Sequence, residues 1–277
     1  VYEKFYGLRE KPFSLLPDPS FLYLSRKHQM ALALLEYGLA NQAGFTVISG
    51  EIGAGKTTLI RYLLNRVGRD INVGLITNTH RSLGELLHWV LLAFGLPHAG
   101  QDKIAMYHTF VNYLIAEYGK NRRTVLIVDE AQNLGPETLE ELRMLSNINA
   151  DKDQVLQVFL VGQPGLRDLL RRPDLEQFAQ RISADFHLEP LGLDETRGYI
   201  RHRVTVAGGD GALFDDAACE TVYRESGGVP RLINLLCDTA LVYGYAQQAP
   251  AITTAIVEEV ARDKRKGGLF PASKSAA

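Results

Sequence analysis

Residues 44–64, "GFTVISGEIGAGKTTLIRYLL", set an apolar run directly before three glycines within six residues, a lysine and two threonines. A chain accommodates this order when a strand ends at Gly50, the backbone reverses through conformations that side chains obstruct, and a helix opens near Lys56. Gly50-Glu51-Ile52-Gly53-Ala54-Gly55-Lys56-Thr57 fits G-x-x-x-x-G-K-[ST] in the strand-to-helix setting that this pattern requires. The physical reason is a polyphosphate. Glycines let main-chain N–H groups turn inward, the helix N-terminus adds partial positive charge, Lys56 neutralises the outer phosphates, and Thr57 offers a hydroxyl to Mg²⁺. The candidate ATP-binding residues are therefore Gly50, Glu51, Ile52, Gly53, Ala54, Gly55, Lys56, Thr57 and Thr58, the alternative being a tight turn without a ligand.

A nucleotide site of this kind needs a sheet to carry it. The runs "FTVIS" (45–49), "VGLIT" (73–77), "TVLIV" (124–128) and "LQVFLV" (156–161) are short β-branched or continuous apolar runs, and stretches with helical periodicity lie between them. Strand alternating with helix implies an α/β fold, a parallel sheet covered on both faces. After Pro190 only helical segments follow, "LDETRGYIRHRVTVAGG", "DDAACETVYRESGG", "PRLINLLCDTALVYGYAQQ" and "TTAIVEEVARDKR", separated by Gly and Pro. The expected organisation is a three-layer αβα core over 1–190, a small all-helical lid over 191–265, and a disordered small-residue tail over 266–277.

The 277 residues are 46% hydrophobic and 22% charged, enough for a full core, and the net charge of −2 gives no global basic field for nucleic acid. Cys219 and Cys237 form no CxxC pair and lack a His at metal-ligand spacing, so both read as reduced core residues. The opening "VYEKFYGLREKPFSLLPDPS" lacks the order of a signal peptide, and no run approaches the ~20 apolar residues of a membrane span. The expectation is a soluble, cytoplasmic protein.

Metal and attacking water call for carboxylates at the end of a neighbouring strand. "TVLIVDEAQNL" carries four apolar residues through the sheet and delivers Asp129 and Glu130 at its C-terminal edge, where ligands bind in open α/β folds. Asp129 would hold the water shell of Mg²⁺, and Glu130 would polarise the nucleophilic water, so the pair implies hydrolysis of the γ-phosphate. A strand ending in solvated acids is the plainer alternative.

These motifs, together with "FYGLREKPFSLLPDPSFLYLS", "LVGQPGLRDLL", "QRISADFHLEPL" and "GGVPRLINLLCD", resemble the AAA+ ATPases, and more narrowly the ExeA/GspA type that accompanies secretion, pilus and exopolysaccharide systems. The resemblance covers nearly everything from Tyr2 to about residue 245. It implies further roles. Gln163 matches the sensor-1 position that reads the γ-phosphate and helps orient water. Arg231 in "GGVPR" resembles the sensor-2 arginine of the lid, whose planar donors bridge phosphate oxygens. Arg181 stands where related ATPases supply an arginine finger to the next subunit, which implies a homo-oligomer, although Arg167, Arg171 and Arg172 lie nearby. Asn78 matches a polar position that restrains the catalytic glutamate, or is an ordinary strand end. The segment 1–44 is expected to pack near the nucleotide, with Phe13, Pro19 and Tyr23 forming either an adenine slot or plain core.

Above the shared ATPase the function stays open. The resemblance implies envelope assembly through a protein partner of a secretion, pilus or polysaccharide system, with a membrane-associated protein among the candidates. Such relatives often continue into a membrane span and a wall-binding domain, and this sequence instead ends in a loose tail, which points to the shorter cytoplasmic type. The alternatives are a DNA-associated ATPase of the transposition-regulator or helicase-loader type, supported by the basic groups at 120–123, 169–172 and 262–266, and a slow nucleotide-dependent switch.

Overall fold

The computed structural model describes residues 1–41, 44–68, 70–77, 86–150 and 153–267. By its packing the chain divides into two compact units. One comprises Val1–Lys27, Glu51–Leu59 and Glu189–Ala277, and the other His28–Gly50 and Ile60–Leu188. Up to residue 188 the chain runs α1 (Arg26–Ala40), β1 (Phe45–Gly50), α2 (Lys56–Arg66), β2 (Ile71–Ile76), α3 (Leu86–Ala93), α4 (Lys103–Gly119), β3 (Arg123–Val128), α5 (Pro136–Leu145), β4 (Asn149–Ala150), β5 (Asp153–Gln154), β6 (Leu156–Gly162), α6 (Gly165–Leu170), α7 (Glu176–Ala179) and β7 (Ile182–Leu188).

In this sheet unit five strands lie in the order β2-β3-β6-β1-β7, every neighbouring pair parallel. The three inner strands are buried almost throughout, and the edge strands β2 and β7 alternate between buried and open positions. That burial explains the largely apolar runs at 45–49, 124–128 and 156–161, in which both faces are covered and Thr46, Ser49, Thr124 and Gln157 are the buried polar exceptions. Phe45, Leu126, Val158 and Leu160 meet Leu91, Phe110, Leu142 and Phe178 in one core. The short antiparallel pair β4–β5 went unread in the sequence, because two residues per strand leave no periodicity.

The helical unit contains α8 (Leu193–Val206), α9 (Asp216–Ser226), α10 (Pro230–Ala246) and α11 (Thr254–Lys266), close to the four segments expected. Local chemistry sets the boundaries. Asp215 accepts from the Ala218 N–H at 2.6 Å and caps α9, left-handed Gly227 closes it, and Pro230 occupies the first turn of α10. Ile200, Val222, Leu236, Ala240 and Val257 build its core. Cys219 and Cys237 are free and buried there, and burial pushes the Cys219 thiol up to about 11 and Cys237 well above its ordinary range, which leaves both protonated and unreactive. Among the described residues no helix is long and apolar enough to cross a membrane.

Residues 1–27 pack with these helices, whereas the expected division grouped 1–44 with the sheet. The reason is a set of anchors. Tyr2 donates to Asp238, and Tyr2, Leu8, Phe13 and Phe21 enter the helical core. Phe13 is fully buried with its ring edge-on to Phe214 at 5.6 Å, so of its two readings it is core. Tyr23 packs against Tyr199 at 6.1 Å and His202 at 5.7 Å. Arg203 of α8 is the principal fastener. Only 7% exposed, it donates to the carbonyls of Pro12 and Ser14 and, at 2.8 Å, to the Tyr199 hydroxyl, and its guanidinium lies 4.9 Å from the Phe21 ring centroid. Backbone carbonyls and aromatic faces here take the place of a carboxylate partner.

Arg203→Leu leaves those carbonyls without their charged donor. The expected cost is about 2 kcal/mol, equivalent to roughly 30-fold faster local opening, read as accelerated amide hydrogen exchange confined to residues 12–21 and their contacts on α8. Unchanged exchange there would show that Arg203 is not the fastener.

Candidate functional site

Two clusters carry the residues singled out by the sequence, one in each unit. In the helical unit, the loop after Gly50 turns through Gly53 at φ +81° and Gly55 at φ +95°, left-handed values that let successive N–H groups face a common side. Lys56 is buried as the first residue of α2, and its Nζ donates to the Glu51 carbonyl at 3.0 Å, which also accepts from the Ala54 N–H at 3.1 Å. Thr57 and Thr58 lie half-buried on the first turn, and Glu51 and Ile52 are exposed. A closed glycine turn, a helix N-terminus and a lysine folded back on the loop are a donor set suited to a triphosphate. The Thr57 hydroxyl and the Asp129 carboxylate are hard oxygens of the kind Mg²⁺ takes.

Arg231 is brought onto this loop. Its main-chain N–H donates to the Gly53 carbonyl at 3.2 Å, and a Cβ on Gly53 would stand 2.4 Å from the Arg231 Cβ. The motif "GGVPR" explains the placement. Gly228, at φ +74°, approaches the main chain so closely that an added Cβ would lie 1.9 Å from the Leu191 carbonyl oxygen, and Leu191 donates back to the Gly228 carbonyl at 2.9 Å. Pro230 then starts α10, so Arg231 falls on its first turn, where helix N–H groups lack internal partners and Gly53 supplies one.

In the sheet unit, β3 and β6 pair in parallel with Val128 opposite Leu160. The chain therefore leaves the two strands side by side, at Asp129–Glu130 and at Gly162–Gln163. The Asp129 N–H donates to the Ile76 carbonyl at 2.8 Å, continuing the β2–β3 pairing, and Asp129 Oδ1 accepts the Glu130 N–H at 2.9 Å. Glu130 is left-handed, φ 54° and ψ 36°, a conformation that costs a non-glycine residue roughly 1–2 kcal/mol. Its Oε2 accepts from Gln163 Nε2 at 2.9 Å and from Gln132 Nε2 at 2.6 Å, and Gln132 Oε1 accepts the Gln163 main-chain N–H at 2.9 Å. Gln163 thus reaches the carboxylate expected to act beside it. Gln132 was not singled out from the sequence, although it stands two residues beyond Glu130 within "DEAQNL".

The arginines sort by their partners. Arg167 lies 3.7 Å from Asp185 and Arg172 is held by Asp174 at 2.9 Å, whereas Arg181, just before β7, donates to Asn147. Arg181 stands outside the Glu130–Gln132–Gln163 network, and it and Arg171 have no carboxylate partner among the described residues. Asn78 lies outside the described residues.

Comparison with known proteins bears on both clusters. Residues 40–170 match the family model described as an AAA domain. The chain is 42% identical over 248 residues to "General secretion pathway protein A" of Aeromonas hydrophila, covering 89% of this chain and 45% of that protein. The matched segment and the parallel sheet give the chain a P-loop fold of AAA type, and its sequence is similar to that of general secretion pathway protein A. The chain is also 32% identical over 129 residues to "Mu-like prophage FluMu DNA transposition protein B" of Haemophilus influenzae, covering 46% of this chain and 42% of that protein. It thus spans less than half the length of the curated relatives it matches. In fold it is similar to the Aeropyrum pernix ORC2 protein, with a TM-score of 0.68 at 17% identity over 95% of this chain and 75% of that one.

Gly53→Ala tests the phosphate loop. The methyl would meet Arg231 in a backbone conformation that alanine avoids, for an expected loss of about 1–3 kcal/mol. Thermal unfolding should show a lowered midpoint and a smaller upward shift on adding ATP than in the unaltered protein; an unchanged melt and an unchanged ATP shift would contradict the placement of Arg231.

Proposed function

We propose that the AAA domain binds ATP with Mg²⁺ and hydrolyses the γ-phosphate, using the energy to change its own conformation and assemble a partner complex. The observation that carries this reading is the lid arginine, Arg231, seated on the glycine turn whose next helix opens with Lys56. In it, the loop amides of 50–57 and Lys56 hold the phosphates, and Arg231 bridges the outer ones. Thr57 and Asp129 are the residues that would hold Mg²⁺, which would supply positive charge to the phosphates. Glu130 accepts the proton of the attacking water, and Gln163 orients that water beside the γ-phosphate. Arg181 serves a neighbouring copy of the chain, so turnover requires a homo-oligomer.

The relationship to general secretion pathway protein A supports a place in an envelope secretion or polysaccharide system, with a protein partner and a cytoplasmic location, peripheral to the inner membrane through that partner. The resemblance to a DNA transposition protein favours a second reading, action on DNA. Part of the basic groups is committed elsewhere. Lys120 and Arg122 both pair with Glu117, Arg123 donates to the Leu39 carbonyl, Arg172 pairs with Asp174 and Arg265 with Glu225. Cations committed to neighbouring groups contribute less to a phosphate-binding field.

Lys56→Ala should retain no ATP, whereas Glu130→Gln should bind it and release phosphate at least about 100-fold more slowly. Arg181→Ala should lose turnover and recover part of it when mixed with Glu130→Gln, since each supplies what the other lacks. Unaltered protein that binds no ATP overturns the reading; binding without phosphate release from assembled oligomers makes it a switch. Salt-sensitive retention of duplex DNA in the presence of ATP would favour the second reading.

A further inference from the structure

We infer that Gln132 is a positioning residue for hydrolysis, aiming the Glu130 carboxylate and holding it in register with Gln163. The inference rests on Glu130 acting as the base in the proposed reaction. Gln132 uses both ends of its amide on this task. Nε2 donates to Glu130 Oε2 at 2.6 Å and Oε1 accepts the Gln163 N–H at 2.9 Å. One end needs a donor and the other an acceptor, so the orientation of the amide follows from the network, and neither a carboxylate nor an aliphatic side chain could serve both.

The geometry around it is specific to that purpose. Glu130 and Gln132 lie in the short turn after β3, where Glu130 takes a left-handed conformation and Ala131 is buried. Gln163 opens the loop after β6. Gln132 is thus a side-chain bridge between two strand ends that the sheet brings adjacent, and its neighbour Gly162 leaves room for it: a Cβ there would stand 2.8 Å from Gln132 Oε1. The Glu130 carboxylate oxygen receives one amide from its own turn and one from the neighbouring loop. Gln163, expected to address the γ-phosphate, is then linked to the base through its side chain and, by way of Gln132, through its backbone. Displacement of the Gln163 side chain toward phosphate leaves Glu130 still held by Gln132, so sensing the phosphate does not cost the base its direction.

The test compares the unaltered protein with Gln132→Met and Gln132→Glu, measuring the Kd for a fluorescent ATP analogue, kcat for phosphate release, and the thermal midpoint. Methionine keeps the length and removes both polar ends. Glutamate keeps an acceptor for the Gln163 N–H but sets a second negative charge against Glu130. The expected result is a fall in kcat of about 10- to 100-fold for Gln132→Met, no rescue and a further fall for Gln132→Glu, and a Kd within about twofold of the unaltered protein in both. Gln132→Met combined with Gln163→Met should lose more than either single variant, because each amide holds the carboxylate when the other is gone. Unaltered protein that turns over ATP while Gln132→Met does so equally fast overturns the positioning role and leaves the hydrolytic reading intact, as does a loss of kcat that Gln132→Glu restores. Unaltered protein that releases no phosphate overturns both.

Discussion

The placement of β6 between β3 and β1 is the constraint on which the chemistry of the sheet unit depends. Parallel pairing with Val128 opposite Leu160 and Ser49 opposite Gly162 forces three chain exits onto one edge, those leading to the glycine turn, to Gln163 and to the acidic pair. Because these strands are buried on both faces, charged side chains are costly along them and stand at or beyond their ends. The hydrophobic demand of the core and the concentration of chemistry at the C-terminal edge are therefore one requirement, met by the same strand order.

The helical unit solves a different problem, that of fixing a glycine turn which has little packing of its own. Gly53 has no side chain to anchor it, and the turn passes through φ values that most residues avoid. The first turn of α10 presents N–H groups that need acceptors, and the Gly53 carbonyl is one. Each feature satisfies a deficit of the other, and so α10 and the glycine turn, separated by almost two hundred residues of chain, share one local interaction. Arg203 works similarly for the N-terminal segment, offsetting the cost of a buried cation with the carbonyls of Pro12 and Ser14, the latter shared with Asn234.

Much of this was readable in the sequence, and the reasons are particular. The inner strands appeared as continuous apolar runs, and the helices beyond Pro190 were bounded by Gly, Pro and Asp signals that act locally. The glycine pattern marked the turn between β1 and α2, because Gly53 and Gly55 take backbone conformations that few other residues adopt. The docking of residues 1–27 was not readable, since it depends on Arg203, which in sequence is one more arginine on a helix. Gln132 was likewise hidden: its partner Gln163 lies 31 residues away, and only the β3–β6 pairing makes them neighbours. Long-range side-chain networks leave no period and no local punctuation.

The left-handed Glu130 makes the energetic logic of that network explicit. Holding a non-glycine residue there costs roughly 1–2 kcal/mol. A hydrogen bond to a charged acceptor returns about 1.5–3 kcal/mol when buried and less where water reaches the group, as it does for this half-buried carboxylate. One amide would about break even, whereas two outweigh the strain. Neutral donors also suit the task better than a cation. Lysine or arginine at 132 or 163 would engage the carboxylate as an ion pair and compete with water for it, while an amide fixes its direction without adding a positive charge. A strained base held by two glutamines is thus a way to keep a carboxylate both aimed and able to accept a proton.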